Sequence, residues 1–206
     1  MVKNINELNN IHLDVLREIG NIGSGNAATA LANLLNRKIN MDVPKARILE
    51  FKNVSDTLGG AELPVVGILF RVSGDLTGYI MFILQEKAAV TLVNMLIGRT
   101  LSNVNEFSDF ELSALKEIGN IMAGSYLSAL SGLTSLKILA SVPHLAIDMA
   151  GAILSVPAIE FGKVGDTVLY IETEFSDGSD SVVGDFFLVP DIETYDVLLK
   201  ALGVME

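Results

Sequence analysis

Two pairs of side chains that could act on a substrate recur at the same spacing in this 206-residue chain. Glu18 is followed three residues later by Asn21, and Glu117 is followed three residues later by Asn120. A carboxylate binds a cation, and a carboxamide donates and accepts hydrogen bonds without titrating. The chemistry these pairs suggest is the holding of a charged group and the orientation of water.

Most other catalytic chemistries lack their residues. The chain has no Cys and only two His, His12 and His144. This excludes disulfides, thiolate zinc sites and cysteine nucleophiles, and it leaves almost no material for a Ser-His-Asp triad. We therefore expect this chain to bind no metal and no cofactor of its own.

Helical periodicity predicts two long helices, at about 10–36 and about 107–132. On a wheel of about 100° per residue, each helix carries one outward stripe opposite its apolar side. The two stripes are Asp14, Glu18, Asn21 and Gly25, and Ser113, Glu117, Asn120 and Gly124.

Other positions expected to be exposed differ between the two helices, as Ser24 and Ala123 do, whereas the Glu and Asn of the stripes are identical. A solvated helix face needs no particular residue, and Asn is a poor choice in mid-helix because its amide competes for backbone hydrogen bonds. The repeated Glu and Asn therefore indicate a functional requirement.

Three glycines of the first helix each cost about 1 kcal/mol relative to Ala. Gly20 and Gly23 fall on the inner side, where close packing against a neighbour explains them. Gly25 falls on the outward stripe, which indicates that another macromolecule approaches the backbone there.

A phosphate-binding loop is a competing interpretation, because Gly23-Ser-Gly25-Asn-Ala-Ala28 loosely matches G-x-G-x-x-A. That fingerprint requires a preceding strand and a tight turn, whereas the residues before Gly23 have helical period. The second helix lacks the pattern. A small-ligand protein that uses this Gly-rich helix would need a pocket beside Gly23 and Gly25.

The two helices belong to a duplicated pattern. Residues 16–31 match residues 115–130 at an offset of 99, and this offset continues to Pro44 and Pro143. Because Pro blocks helix continuation and donates no N–H, both prolines are expected to end the segment after the helix and to start a strand.

We predict an α+β protein, with one domain over residues 1–206 built of internal repeats 1–103 and 104–206. Each pseudo-symmetric half should hold a long helix, antiparallel strands and a short helix, joined in one mixed-layer domain. The expected strands are Ala46–Phe51, Val65–Val72, Gly78–Leu84, Ala152–Phe161, Thr167–Phe175 and Ser181–Val189, and the expected short helices are about 85–97 and 191–202.

Charge and hydropathy limit the partners. The net charge is −11, of which residues 104–206 contribute −12 and residues 1–103 contribute +1. A cationic surface for nucleic acid or anionic lipid is missing. The apolar stretch 139–159 contains prolines and a charge, so we expect no membrane span. The N-terminus has no apolar signal region, and we expect a cytoplasmic protein.

The full spacing of both helices resembles the [DS]-x3-E-x2-N-x22-P signature of the CheC family of chemotaxis phosphatases, which includes CheX and FliY proteins. The two matching sets are Asp14, Glu18, Asn21 and Pro44, and Ser113, Glu117, Asn120 and Pro143. The duplicated architecture covers essentially the whole chain.

The resemblance implies hydrolysis of the aspartyl phosphate on CheY, the response regulator of chemotaxis. Asn21 and Asn120 would orient the attacking water, and Glu18 and Glu117 would pair with the lysine of the receiver. The phosphorylated receiver would bring Mg²⁺. The other stripe residues would contact the substrate protein, and these are Asp14, Gly25, Ser113 and Gly124.

The resemblance also implies binding of CheD, a receptor deamidase. Asp148, the acid within an apolar run, is either a hydrogen-bonded core residue or the centre of an exposed apolar patch for that partner. A non-catalytic module that sequesters CheD or the phosphorylated receiver is the alternative to a phosphatase. Two related halves can satisfy contacts that a homodimer would supply, so we expect a monomer.

Overall fold

The computed structural model describes residues 10–36, 38–161, 167–176 and 181–203, in which both halves fold into the same succession of elements. The first half holds α1 (Asn10–Leu35), β1 (Asn40–Glu50), α2 (Val54–Leu58), β2 (Pro64–Gly74), β3 (Gly78–Gln85) and α3 (Glu86–Ile97). The second half holds α4 (Asp109–Thr134), β4 (Ile138–Ala140), β5 (His144–Met149), α5 (Ala150–Phe161), β6 (Thr167–Ser176), β7 (Ser181–Pro190) and α6 (Ile192–Ala201). The predicted α+β fold with two similar halves is confirmed.

The described strands form one seven-stranded sheet in which each half supplies partners to the other. The order is β1-β6-β7-β3-β2-β4, and β5 also pairs with β2. Every pairing among these strands is antiparallel. β1 of the first half thus lies beside β6 of the second, and β5 of the second half lies beside β2 of the first.

Helices cover both faces of the sheet. On one face, α1 and α4 pack against each other. Their buried side chains, such as Leu31 and Leu115, share a core with α3 and with alternate strand residues such as Phe82. On the other face, Leu58 of α2 and Ile153 of α5 belong to a second core. The two long helices therefore each have one buried and one solvent side.

Helix α5 corrects one sequence-based expectation, because residues 152–161 are not a strand. Ala150, Ile153 and Leu154 are buried in the second core, and Pro157 one turn later is buried too. Because the segment is apolar almost throughout, its hydrophobic periodicity cannot distinguish a buried strand from a buried helix. The preceding strand, β5, was not predicted.

The other predicted elements are confirmed, whereas α2 and β4 were not predicted. The four predicted helices are present as α1, α3, α4 and α6, and the five other predicted strands are present as β1, β2, β3, β6 and β7. β1 begins at Asn40, six residues earlier than expected. Within the described part of the chain, no helix is long and apolar enough to cross a membrane.

The two prolines mark the same irregularity in equivalent strands. Pro44 lies inside β1, where the pairing with β6 shifts register between Asp42 and Lys45. β1 is an edge strand, and a bulge in an edge strand tolerates a residue without an N–H. Pro143 lies in the break between β4 and β5. Pro143 thus precedes a strand as expected, whereas Pro44 lies within one.

Gly23 allows α1 to approach α4 closely. A Cβ at this position would lie 2.5 Å from the ring of Tyr126. Tyr126 is buried, its ring stacks on Phe186 with centroids 4.4 Å apart, and its hydroxyl lies 2.9 Å from Thr173 Oγ1. Burial raises the pKa of Tyr126 to about 12. Gly20 is buried as well, so both inner glycines serve packing as predicted.

A polar cluster on the opposite face joins β1, β6 and β7. The Tyr170 hydroxyl donates to Asp185 at 2.8 Å and to Glu172 at 3.1 Å, and the Lys45 ammonium lies 3.0 Å from Glu172. Burial raises the pKa of Asp185 to about 6, the nearby Glu172 adds to the rise, and the Tyr170 hydrogen bond, Lys45 and Arg47 oppose it.

Replacing Gly23 with Ala is expected to destabilise the protein by about 1–3 kcal/mol, because the new Cβ must displace the Tyr126 ring. Gly25→Ala is the matched control: nothing lies within 4 Å of a Cβ at Gly25, and better helix propensity should add up to about 1 kcal/mol. Chemical unfolding followed by circular dichroism measures both. Equal free energies of unfolding for the Gly23→Ala and Gly25→Ala proteins would contradict the close packing at Gly23.

The raised pKa of Asp185 predicts a pH-dependent stability. The folded state favours the protonated form of Asp185. This preference adds to the free energy of unfolding in full below about pH 4, and the added stability is lost as the pH rises to about 6. Asp185→Asn keeps an acceptor for Tyr170 and does not ionise. Relative to this variant, the wild type should lose about 3 kcal/mol of unfolding free energy between pH 4 and 7. Parallel pH profiles of the two proteins would refute the raised pKa.

Candidate functional site

The outward stripe of α1 lies on the solvent side of that helix. Glu18, Asn21 and Gly25 are exposed, whereas the neighbouring Ile19 is buried. Asp14 occupies the first position of the stripe within α1, and its side chain lies outside the described residues. The acid, the amide and the glycine thus stand in succession along one exposed helix face, as the wheel predicts.

The stripe of α4 has the same placement. Ser113, Glu117, Asn120 and Gly124 are all exposed, and Ile118 between them is buried. The Asn120 side chain donates from Nδ2 to Glu117 Oε2 at 3.3 Å. The carboxylate and the carboxamide are therefore near neighbours on the helix surface, close enough to act on one bound group.

The start of α4 is fixed by a capping box ahead of its stripe. The Ser108 backbone N–H and hydroxyl both donate to the Glu111 carboxylate, and the Ser108 hydroxyl also accepts from the helix backbone. These bonds from Ser108 hold the pKa of Glu111 below its usual value. Arg99 Nε lies 3.4 Å from the same carboxylate. Such a cap defines where the helix begins, and hence which face Ser113 occupies.

A side chain that the sequence interpretation misplaced lies next to Asn21. Ser24 and its counterpart Ala123 are buried, not outward. The Ser24 hydroxyl donates to the backbone carbonyl of Asn21 at 3.0 Å, a bond that Ala123 cannot make. On the wheel Ser24 falls at about 280°, beside the inner arc, and this angle was the available signal.

The two outward glycines leave the surface open. Nothing lies within 4 Å of a Cβ built at Gly25 or at Gly124. Gly23, by contrast, is covered by Tyr126, so Gly23 and Gly25 do not jointly line a pocket. Both also lie in mid-helix, away from the strand-to-turn junction that a dinucleotide loop needs.

This geometry suits a macromolecular substrate. The acid and amide side chains are exposed on helix surfaces, where a partner protein can lay its own reacting group against them. The carboxylate can pair with a cation, and the amide can bind water as both donor and acceptor. Over the residues that the structure describes, no group of three His, Cys, Asp or Glu side chains is placed to hold a metal ion.

Asp148 lies apart from the stripes, on β5 at the edge of the sheet. Its side chain is exposed, and the adjacent Ile147 and Met149 are 40% and 54% exposed. Asp148 Oδ1 accepts from the backbone N–H of Met149 at 2.7 Å. Asp148 itself is therefore not buried in the core, and it lies between two exposed apolar side chains.

Comparison with known proteins places the chain in a family. The CheC-like family matches residues 11–48 and 110–147, the segments that contain both stripes. The chain is 42% identical to the CheY-P phosphatase CheC of Bacillus subtilis (strain 168) over 195 residues. The aligned region covers 93% of each protein.

Two further relatives belong to the FliY group. The flagellar motor switch phosphatase FliY of Bacillus subtilis (strain 168) is 27% identical over 147 residues, 71% of this chain and 38% of that protein. The crystal structure of Thermotoga maritima FliY superposes with a TM-score of 0.73 at 26% identity, covering 99% of this chain and 98% of the other. Because it is 42% identical to CheC over 93% of its length and matches the family at both long helices, this chain belongs to the CheC-like family.

Proposed function

We propose that this protein is a phosphatase that hydrolyses the aspartyl phosphate of the chemotaxis response regulator CheY. The observation that carries the proposal is the exposed Glu-Asn pair on each long helix, in a chain 42% identical to a CheY-P phosphatase. One site is the stripe of α1 and the other is the stripe of α4.

The amides act on water. In the reaction, a water oxygen attacks phosphorus in line with the bond to the aspartyl oxygen, that bond breaks, and inorganic phosphate and a free carboxylate result. Asn21 and Asn120 orient this water by hydrogen bonds, which an amide offers at any physiological pH. No covalent intermediate forms on this chain.

The acids anchor the partner. Glu18 and Glu117 pair with the lysine beside the phosphorylation site of the receiver, because a carboxylate aimed at the phosphoryl group itself would repel it. The open surface at Gly25 and Gly124 supports this proposal, since it leaves room for the receiver backbone.

The ends of each stripe complete the contact. Asp14 and Ser113, one turn before the acids, lie against the substrate protein in this proposal. The Mg²⁺ ion that neutralises phosphoryl charge arrives with the receiver. The proposed reaction therefore needs no metal ligands from this chain.

We further propose that the protein acts in the cytoplasm as a monomer and binds the deamidase CheD. Exposed Asp148, beside apolar Ile147 and Met149 on an edge strand, supports β5 as the contact for CheD. Pairing of strands from both halves within one chain supports the monomer.

The double change Asn21→Ala, Asn120→Ala is expected to return phosphate release from phosphorylated CheY to the rate of CheY alone, because no group then orients water. Release of inorganic phosphate measures this, and the single changes apportion the two sites. Asn26→Ala, at an exposed amide on α1, is the matched control and should leave the rate unchanged. Unchanged turnover in the double variant favours the alternative, a module that binds the receiver or CheD without hydrolysis.

Asp148→Lys is expected to weaken CheD binding by about tenfold or more, since it reverses the charge at the centre of the patch. Calorimetric titration of CheD into this protein measures the change. Asp196→Lys, at an exposed acid on α6, is the matched control and should bind CheD as the wild type does. Equal affinity of both variants would exclude β5 as the contact.

A further inference from the structure

A cavity of about 450 Å³ lies between the sheet and α5, on the face opposite to α1 and α4. Gly67 of β2 and Ala146 of β5 are directly paired across the strands and both line it. Ile153 of α5 packs so closely over Gly67 that a Cβ there would lie 2.7 Å from its Cγ2. The two neighbouring strands carry almost no side-chain volume here, and Ile153 of α5 instead of a strand side chain covers Gly67.

The other half of the chain fills the equivalent position. At the 99-residue offset that relates Pro44 to Pro143, Ala146 corresponds to Arg47. Arg47 pairs with Tyr170 across β1 and β6, and its guanidinium carbon lies 5.2 Å from the centroid of the Tyr170 ring. A cation–π pair at one edge of the sheet is thus replaced by Gly and Ala at the other edge.

The next cross-strand pair has changed in the same direction. Lys45 pairs with Glu172 in the filled cluster, and His144 pairs with Leu69 at the corresponding place beside the cavity. Glu172, whose carboxylate accepts a hydrogen bond from the Tyr170 hydroxyl, therefore corresponds to the apolar Leu69. The acid of the filled cluster thus has no counterpart beside the cavity.

The polar side chains that line the cavity favour an anion. They are Arg71, His144 and Tyr79, all of which can donate hydrogen bonds. No lining residue is acidic, although the chain has 25 Asp and Glu and a net charge of −11. The remaining lining residues, such as Leu69 and Val156, are apolar or lack a polar side chain.

We propose that this cavity binds a small carboxylate with an apolar body. Its apolar body lies against apolar lining side chains such as Leu69 and Val156, and its carboxylate lies against Arg71 and His144. The volume falls within the roughly 300–1,000 Å³ of small-molecule sites, which combine an apolar lining with a few placed polar groups. The site is on the sheet face opposite to the Glu-Asn stripes and is independent of phosphatase activity.

The test is a titration of the ¹⁵N-labelled full chain with 3-phenylpropionate, followed by NMR, with 3-phenylpropanol as the matched neutral compound. The carboxylate should shift the amide signals of Gly67, Ala146 and Ile153 in a saturable manner. It should bind about tenfold or more tightly than the alcohol, because a hydrogen bond to a charged group is worth more than a neutral one.

Two variants with matched controls assign the binding to the cavity. Ala146→Trp fills the space and should abolish binding, whereas Ala140→Trp, at an exposed alanine on β4, should retain it. Arg71→Gln should remove the preference for the carboxylate, whereas Lys137→Gln, at an exposed lysine, should keep it. Circular dichroism checks that each variant is folded.

The comparison of the two compounds on the wild type does not depend on any variant. The proposal is overturned if 3-phenylpropionate causes no saturable shift up to its solubility limit, or if the alcohol binds equally well. It is also overturned if a folded Ala146→Trp protein binds the carboxylate as the wild type does.

Discussion

The exchange of strands between the two halves is the constraint on which the rest of the structure depends. β1 pairs with β6, β3 with β7, and β5 with β2, so the halves share one sheet. This sheet brings α1 and α4 together on one face, where Gly23 leaves room for Tyr126. Since each long helix is buried along one side only, both Glu-Asn pairs are left facing solvent.

The arrangement of the candidate site could be predicted from sequence because it is a local property of helices. Periodicity of 3.6 residues places Glu18, Asn21 and Gly25 on one side whatever the helix packs against. Duplication supplied the second signal, as Glu117 and Asn120 repeat the pattern. Ser24 was misplaced because a wheel resolves the border between the two sides only to within about one residue.

The parts that were not predicted depend on contacts between distant segments. Residues 152–161 are apolar almost throughout, and only their burial against the sheet reveals the helical spacing of Ile153 and Leu154. Likewise, Gly67 and Ala146 are unremarkable in the sequence until strand register makes them partners. The sequence shows which residues are small, but only the pairing of β2 with β5 shows that Gly67 and Ala146 are neighbours.

The strand exchange also determines when the chain can fold during synthesis. The ion pair between Lys45 and Glu172 joins residues 127 positions apart. β1 leaves the ribosome long before its partner β6 has been translated, and closing so long a loop costs entropy before any contact repays it. The sheet is therefore completed only after β6 and β7 have been translated, and the first repeat must wait for the second with its β1 edge unpaired.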